Sequence, residues 1–294
     1  MEGHYLDVGG VRTYCIDRGK GPAIVLLHGA ALAVDAYSTW FRAIAALESE
    51  FRVVAFDQIG MGRTALPKDG VYKNRLERVD HALATIKALG VERACLAGHS
   101  EGGFMATRIA IVEPSLAAGL VIVTSGGTAP YLGEGRDAEW IKVAEATYND
   151  RRQFDSFEGF LACNGRLSHR SDPVYEGILR ENYQRSRDNG QMELVARMPK
   201  GLSNYLERER LQREYIFPHL KDLSVPTLLI WALNDAGVVV ERGVKLMELI
   251  QGAEMHIFSE ASHNVMHDRA DEFNRLLASW CRRCWASGDK TKAA

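Results

Sequence analysis

Gly98-His99-Ser100-Glu101-Gly102-Gly103 follows the apolar run Ala94-Cys95-Leu96-Ala97 and precedes the helix-like run Phe104 to Val112. A strand, a sharp turn and a helix are expected there, with a serine at the turn. The flanking glycines suit such an elbow. Its central residue takes a strained conformation, and side chains two positions away would collide with the neighbouring strand and helix. The Ser100 hydroxyl is then held over the end of a sheet, at a helix N-terminus where the Glu101 N–H is free to meet an oxyanion.

A serine hydroxyl needs a base to take its proton, and the base needs a third group to hold its tautomer. His263 follows the apolar run Glu254 to Phe258 on a short loop, and Asp235 follows Thr227 to Trp231 in the same way. Both loops are expected at the sheet edge that carries Ser100, and the chain order Ser, Asp, His is the one this topology requires. Asn234 lacks the charge that stabilises an imidazolium. Of the nine histidines, His28 and His99 adjoin the site and read as structural groups; His263 alone has the position of a base. A second oxyanion N–H is expected from the small-residue turn His28-Gly29-Ala30-Ala31, at Ala30. Glu101 reads as a carboxylate favoured by a helix N-terminus, or else as a group that touches substrate or tunes His263.

The rest of the chain supplies the sheet. Alternation in His4 to Val8 and Val11 to Asp17 about Gly9-Gly10 predicts a β-hairpin. Buried strands follow at Ala23 to Leu27, Arg52 to Phe56, Ala94 to Ala97, Leu120 to Thr124, Thr227 to Trp231 and Glu254 to Phe258. Helical periodicities separate them at Tyr37 to Leu47, Asn74 to Leu89, Gly102 to Val112, Arg242 to Ile250 and Ala270 to Arg283. The expectation is an α/β fold, a mostly parallel sheet covered by helices on both faces. From 128 to 218 no buried strand is evident. The helical stretches Asp137 to Tyr148, Pro173 to Asp188 and Met192 to Leu211 read instead as a cap inserted after a central strand, over a core of 1–127 and 219–285, or as an added subdomain away from the site. Residues 286–294, small and polar, are expected to form a disordered tail.

With 294 residues, 46% of them hydrophobic, and a net charge of −2, the chain can bury a large core and gives no electrostatic argument for nucleic acid or an anionic membrane. A small-molecule substrate is the expected partner; a homodimer is one assembly the sequence allows. No basic segment with an apolar h-region follows Met1, and no window is long enough to span a bilayer, so a cytoplasmic protein is expected. Five cysteines, an odd number, argue against a disulfide framework. Cys281 and Cys284 lie within a helical pattern and read as packing residues rather than as zinc ligands. No metal cluster, dinucleotide fingerprint or phosphate loop is evident, and no cofactor is expected.

These residues together resemble the α/β-hydrolase superfamily over essentially the whole chain. Within it the chain is similar to the meta-cleavage-product hydrolases, which cut carbon–carbon bonds in vinylogous diketones from aromatic-ring degradation. The likeness lies in the His-Gly turn with Tyr37-Ser38-Thr39-Trp40-Phe41, the Ser100 elbow, Ser125-Gly126-Gly127 and Gly243-Val244-Lys245-Leu246. It continues through His256-Ile257-Phe258-Ser259 to His263 and Ala270-Asp271-Glu272-Phe273-Asn274-Arg275-Leu276. The resemblance implies a triad of Ser100, Asp235 and His263, with Ala30 and Glu101 N–H groups as the oxyanion hole.

The departures bear on substrate. The family's Gly-Asn-Ser is here Gly98-His99-Ser100, its Trp after the histidine is Asn264, and its Gly-Pro-Gly is Ala31-Leu32-Ala33. The cap arginine that binds the dienoate carboxylate aligns with Asn182. Ala31, His99, Asn182 and Asn264 are thus the candidate substrate contacts, and Asn182→Arg is expected to improve carboxylated dienones. Carbon–carbon cleavage leads narrowly, ester, lactone or amide hydrolysis on the same triad follows, and a non-catalytic binding protein or a cofactor-free non-hydrolytic enzyme is more remote.

Overall fold

The computed structural model describes residues 2–198 and 201–290. Its hairpin, β1 (His4–Val8) and β2 (Val11–Arg18), turns at Gly9-Gly10 with φ of 61° and 80°, angles that glycine adopts without steric cost. Six further strands follow: β3 (Ala23–Leu27), β4 (Arg52–Phe56), β5 (Ala94–His99), β6 (Ala117–Val123), β7 (Thr227–Ala232) and β8 (Glu254–Phe258). They form one eight-stranded sheet in the order β1-β2-β4-β3-β5-β6-β7-β8. The pairs β1–β2 and β2–β4 are antiparallel and all others are parallel.

Burial explains the layers. All five residues of β3 are buried, and its side chains alternate: Ile24 and Leu26 join one apolar cluster, Ala23, Val25 and Leu27 the other. That period of two is the pleat. The first cluster takes in α1 (Ala36–Leu47) and a C-terminal pair of helices; the second takes in α2 (Arg75–Ala88) and α3 (Glu101–Val112). Helix α1 starts in a capping box, with the Asp35 carboxylate accepting the Ser38 N–H and the Ser38 hydroxyl accepting the Asp35 N–H, a device worth about 1 kcal/mol.

Between β6 and β7 the described chain has no strand. It forms α4 (Glu134–Ala144), a wide turn over Glu145–Asn149, α5 (Arg152–Asp155), α6 (Phe157–Asn164), α7 (Pro173–Asp188), α8 (Gln191–Ala196), α9 (Gly201–Tyr215) and α10 (Phe217–Leu220). Two expectations need correction here. The helical stretch expected over Met192 to Leu211 divides into two helices, α8 and α9, and the sequence carries Pro199 between them, a residue with no N–H for the helical ladder. Helix α6 has no counterpart in the sequence reading, because its eight residues are too few to show a clear period. After β7 come α11 (Val240–Leu249), α12 (Val265–Asp268) and α13 (Ala270–Lys290).

The tail expectation also changes. Helix α13 runs on to Lys290, past the boundary at 286, with the Ser287 hydroxyl donating to the Arg283 carbonyl one turn back; 291–294 lie outside the described residues. Cys281 and Cys284 are buried on α13 against Cys95 of β5, and the five cysteines are free thiols. Among the described residues no helix is long and apolar enough to cross a membrane.

Candidate active site

Ser100 joins β5 to α3 with φ 53° and ψ −117°, a conformation that costs on the order of 1–3 kcal/mol for a residue with a side chain. Its surroundings over-determine it. The Ser100 N–H donates to the Val123 carbonyl (2.9 Å), and its own carbonyl accepts from the Ser125 hydroxyl (2.6 Å) and the Gly103 N–H (3.0 Å). A Cβ on Gly98 would fall on the Gly102 carbonyl, and one on Gly102 on the Leu27 carbonyl. The glycines of the elbow are therefore set by backbone contact.

His263 lies on the loop after β8 and Asp235 on the loop after β7, both buried. His263 Nδ1 donates to Asp235 Oδ2 at 2.8 Å, while Asp235 Oδ1 accepts the N–H groups of Gly237 and Val238, each at 2.8 Å. Since a carboxylate only accepts, Nδ1 carries the proton and Nε2 is the basic atom of the neutral ring. The His263 carbonyl is gripped from behind by His99 Nε2 (3.0 Å) and the Thr124 hydroxyl (3.1 Å). Burial, and after it His263, lowers the His99 pKa well below the usual range, so His99 is a neutral donor.

Ser100 and His263 face a common cavity. Ala30, Ala31 and Leu32 wall it on one side, Gly126, Gly127 and Val238 on another, and residues of α4, α9 and the turn at Glu145–Asn149 roof it. A smaller recess behind the same two residues is lined by His99, Asn264, Thr39 and Tyr175. The loop with Ala30 is pinned through His28: its Nδ1 donates to the Gly29 carbonyl (2.6 Å), its Nε2 accepts the Gln58 N–H (3.0 Å), and Gln58 Nε2 returns a bond to the His28 carbonyl. Burial, opposed mainly by Asp35, pulls the His28 pKa down to about 4 and keeps it neutral.

Glu101 is neither a simple helix-terminus carboxylate nor an exposed substrate contact. Its side chain is buried and meets Arg75 Nε at 2.6 Å and Arg78 Nη2 at 2.9 Å through Oε1, and Arg208 at 3.9 Å through Oε2. Burial alone would raise its pKa; Arg75, Arg78 and Arg208, in that order, more than offset this and hold it at about 2. Arg78 also donates to Gln58 Oε1 at 3.0 Å, which links Glu101 to the His28 loop.

The other candidate contacts fall in different places. Ala31 lines both cavities, and His99 and Asn264 line the smaller one. Asn264 is also engaged with the helical insertion, its N–H on the Leu167 carbonyl (2.7 Å) and its amide on the Ser168 hydroxyl (3.0 Å). Asn182 lines neither: it is buried on α7, its amide donating to the Ala33 carbonyl at 3.0 Å. Arg180 lies at the surface beside Glu158, and Arg185 pairs with Asp35. The outcome expected for Asn182→Arg therefore changes. The larger charged side chain would lose the bond to Ala33 and overfill a buried position, costing about 1–3 kcal/mol. A lowered Tm in thermal unfolding, with no gain on carboxylated dienones, checks this.

No motif in the sequence marks Arg75, Arg78 or Arg208, nor Arg242 and Gln212. These last two donate to the carbonyls of Gly126, Gly127, Ala129 and Pro130 and so fix the loop after β6. Among the described residues no three His, Cys, Asp or Glu side chains gather as metal ligands would.

A parallel sheet with a positive-φ serine after a central strand, and an Asp–His pair on the loops after the last two, defines a class of hydrolytic fold. The chain belongs to the alpha/beta hydrolase family, whose model matches residues 24–276. It is 29% identical over 279 residues to a 2-hydroxy-6-oxo-6-phenylhexa-2,4-dienoate hydrolase of Comamonas testosteroni, covering 91% of this chain and 90% of the relative. It is 29% identical over 282 residues to a 2-hydroxymuconate semialdehyde hydrolase of Pseudomonas sp. strain CF600, covering 95% and 93%. A meta-cleavage product hydrolase from Pseudomonas fluorescens IP01 (CumD) superposes with a TM-score of 0.79 at 27% identity, over 96% of this chain and 98% of that one. The chain is a hydrolase with relatives named as meta-cleavage product hydrolases.

Proposed function

We propose that this hydrolase acts through Ser100, His263 and Asp235, and that it cleaves a carbon–carbon bond in a vinylogous diketone of the meta-cleavage type. The observation that carries the reading is the 2.8 Å His263–Asp235 bond on the wall of the cavity that also holds Ser100 at its strained elbow. His263 Nε2 takes the Ser100 proton as Oγ attacks the carbonyl, Asp235 stabilises the imidazolium, and the N–H groups of Ala30 and Glu101 receive the oxyanion. Collapse of that oxyanion breaks the bond to carbon. The electron pair leaves into the conjugated system, the imidazolium returns its proton to the leaving fragment, and water, activated by the same histidine, releases the acyl group from Ser100.

Ester, lactone or amide hydrolysis is the second reading, because the same placement of Ser100, His263 and Asp235 serves any activated acyl carbonyl. Single-turnover assays of a ring-fission diketone beside p-nitrophenyl esters separate the two. Diketone cleavage with the larger kcat/KM supports the leading reading, and ester turnover with an inert diketone replaces it with the second. Fluorophosphonate labelling that maps to Ser100 supports both; an unlabelled chain, inert on both substrates, overturns both.

A further inference from the structure

We propose that His99 Nδ1 positions the nucleophile of the second half-reaction, accepting one of its hydrogens while His263 Nε2 takes another, so that acyl transfer from Ser100 favours water and primary amines over alcohols. The inference rests on the reading above, in which Ser100 carries the acyl group.

The first support is an orphaned acceptor. His99 is 5% exposed, and its Nε2 lies 3.0 Å from the His263 carbonyl. A carbonyl only accepts, so Nε2 carries the hydrogen and Nδ1 of the neutral ring is a bare lone pair. Among the described residues nothing donates to Nδ1, and a buried acceptor left unmet is costly. Two donors nearby are spent elsewhere: the Thr39 hydroxyl on the Asp35 carbonyl at 2.9 Å, and the Asn264 amide on the Ser168 hydroxyl at 3.0 Å. The ring is also held in place, with the rings of Trp40 and His263 packed at 6.5 and 4.7 Å between centroids.

The second support is placement. His99, Ser100 and His263 line the smaller recess together, with Gly29 and Asn264. A Cβ on Gly29 would stand 3.2 Å from Ser100 Cβ and 3.3 Å from His99 Nδ1, so the bare lone pair lies on the serine side of the recess. With the acyl chain in the larger cavity, the recess is left to a small molecule.

Two acceptors select by counting hydrogens. Water gives one proton to His263 Nε2 as its oxygen attacks the acyl carbon, and keeps the other on His99 Nδ1. The C–Oγ bond then breaks, the imidazolium returns its proton to Ser100 Oγ, and the acid leaves. Hydroxylamine attacking through nitrogen has two N–H groups for the same two places and yields a hydroxamate. Methanol has one hydrogen, which His263 takes, and its methyl group or lone pair meets Nδ1 instead.

Product partition tests this at the deacylation step alone. Enzyme turning over p-nitrophenyl butyrate in buffer with methanol and hydroxylamine releases butyrate, methyl butyrate and butyrohydroxamate. In His99→Gln the amide reaches the Nε2 position and can still hold the His263 carbonyl, but the acceptor at Nδ1 is lost; His99→Asn places an amide at the Nδ1 position instead. Thr124 grips the same carbonyl in both. The ratios of butyrate and of hydroxamate to methyl ester should each fall about tenfold in His99→Gln and stay within threefold of wild type in His99→Asn. Ratios within twofold of wild type in His99→Gln, or an equal fall in both variants, overturn the proposal alone, provided that p-nitrophenol release depends on Ser100. No release by the wild type, or equal release by Ser100→Ala, removes the acyl-enzyme and the proposal with it.

Discussion

Ser100→Ala is expected to lower kcat on the true substrate by about 10⁴-fold or more, and His263→Ala by a similar factor, with both variants folding as the wild type does. In the proposed mechanism the serine contributes the attacking atom of the covalent intermediate. In the same mechanism the histidine acts twice, first on the hydroxyl and then on water, so its loss should block both halves of the cycle. The two variants together should cost little more than either alone, because the residues work as a unit. Single-turnover kinetics with thermal melts check the result. A rate within tenfold of wild type in Ser100→Ala, alongside an inactive His263→Ala, would instead make His263 a base acting directly on water or on carbon and remove the acyl-enzyme.

Glu101→Ala should destabilise the fold by about 3–5 kcal/mol, because it leaves Arg75 and Arg78 buried without a counter-charge. Glu101→Gln keeps the volume and an acceptor oxygen but not the charge, and should fall between the variant and the wild type. The pH dependence follows from the sign of the shift. The Glu101 pKa is about 2 in the fold against an ordinary 4.5, so its ionised form is favoured by folding. That stabilisation, worth roughly 3 kcal/mol, is complete above pH 4.5 and is lost as the pH falls towards 2. Wild-type Tm should therefore drop over this window more steeply than that of Glu101→Gln. Equal slopes for the two proteins would mean that Glu101 contributes no charge-dependent stability.

Much of the scaffold was legible because its signals are local. The elbow announces itself by the glycines around Ser100, and the contacts made at Gly98 and Gly102 with the backbone explain why no side chain stands there. Asp235 and His263 were found by their distance past buried strands. Strand ends were harder: β5 continues through His99, which pairs with Val123, although the glycine at 98 suggests that the turn has begun. The placement of Asn182 outside both cavities is not legible in the sequence, for a physical reason. Tyr175, Leu179, Tyr183 and Ser186 form the buried stripe of α7 and carry Asn182 inward beside them, which an alignment of residue types does not reveal. The arginine cluster was not legible at all. It joins α2, the start of α3 and α9, and only one clue exists in the sequence: an acid beside a serine in a dry wall requires a cation somewhere.

Arg78 has a consequence that neither its charge nor its burial describes, and that consequence is mechanical. One guanidinium clamps Gln58, which holds the His28 loop, and also Glu101, which opens α3. The two proposed oxyanion donors lie on segments far apart in the chain, yet they share one stiff crossbar. Their spacing is therefore set before any substrate arrives, and little reorganisation remains for the reaction to supply. Movement of the helices above the cavity can then change what is admitted without disturbing the gauge between the donors below.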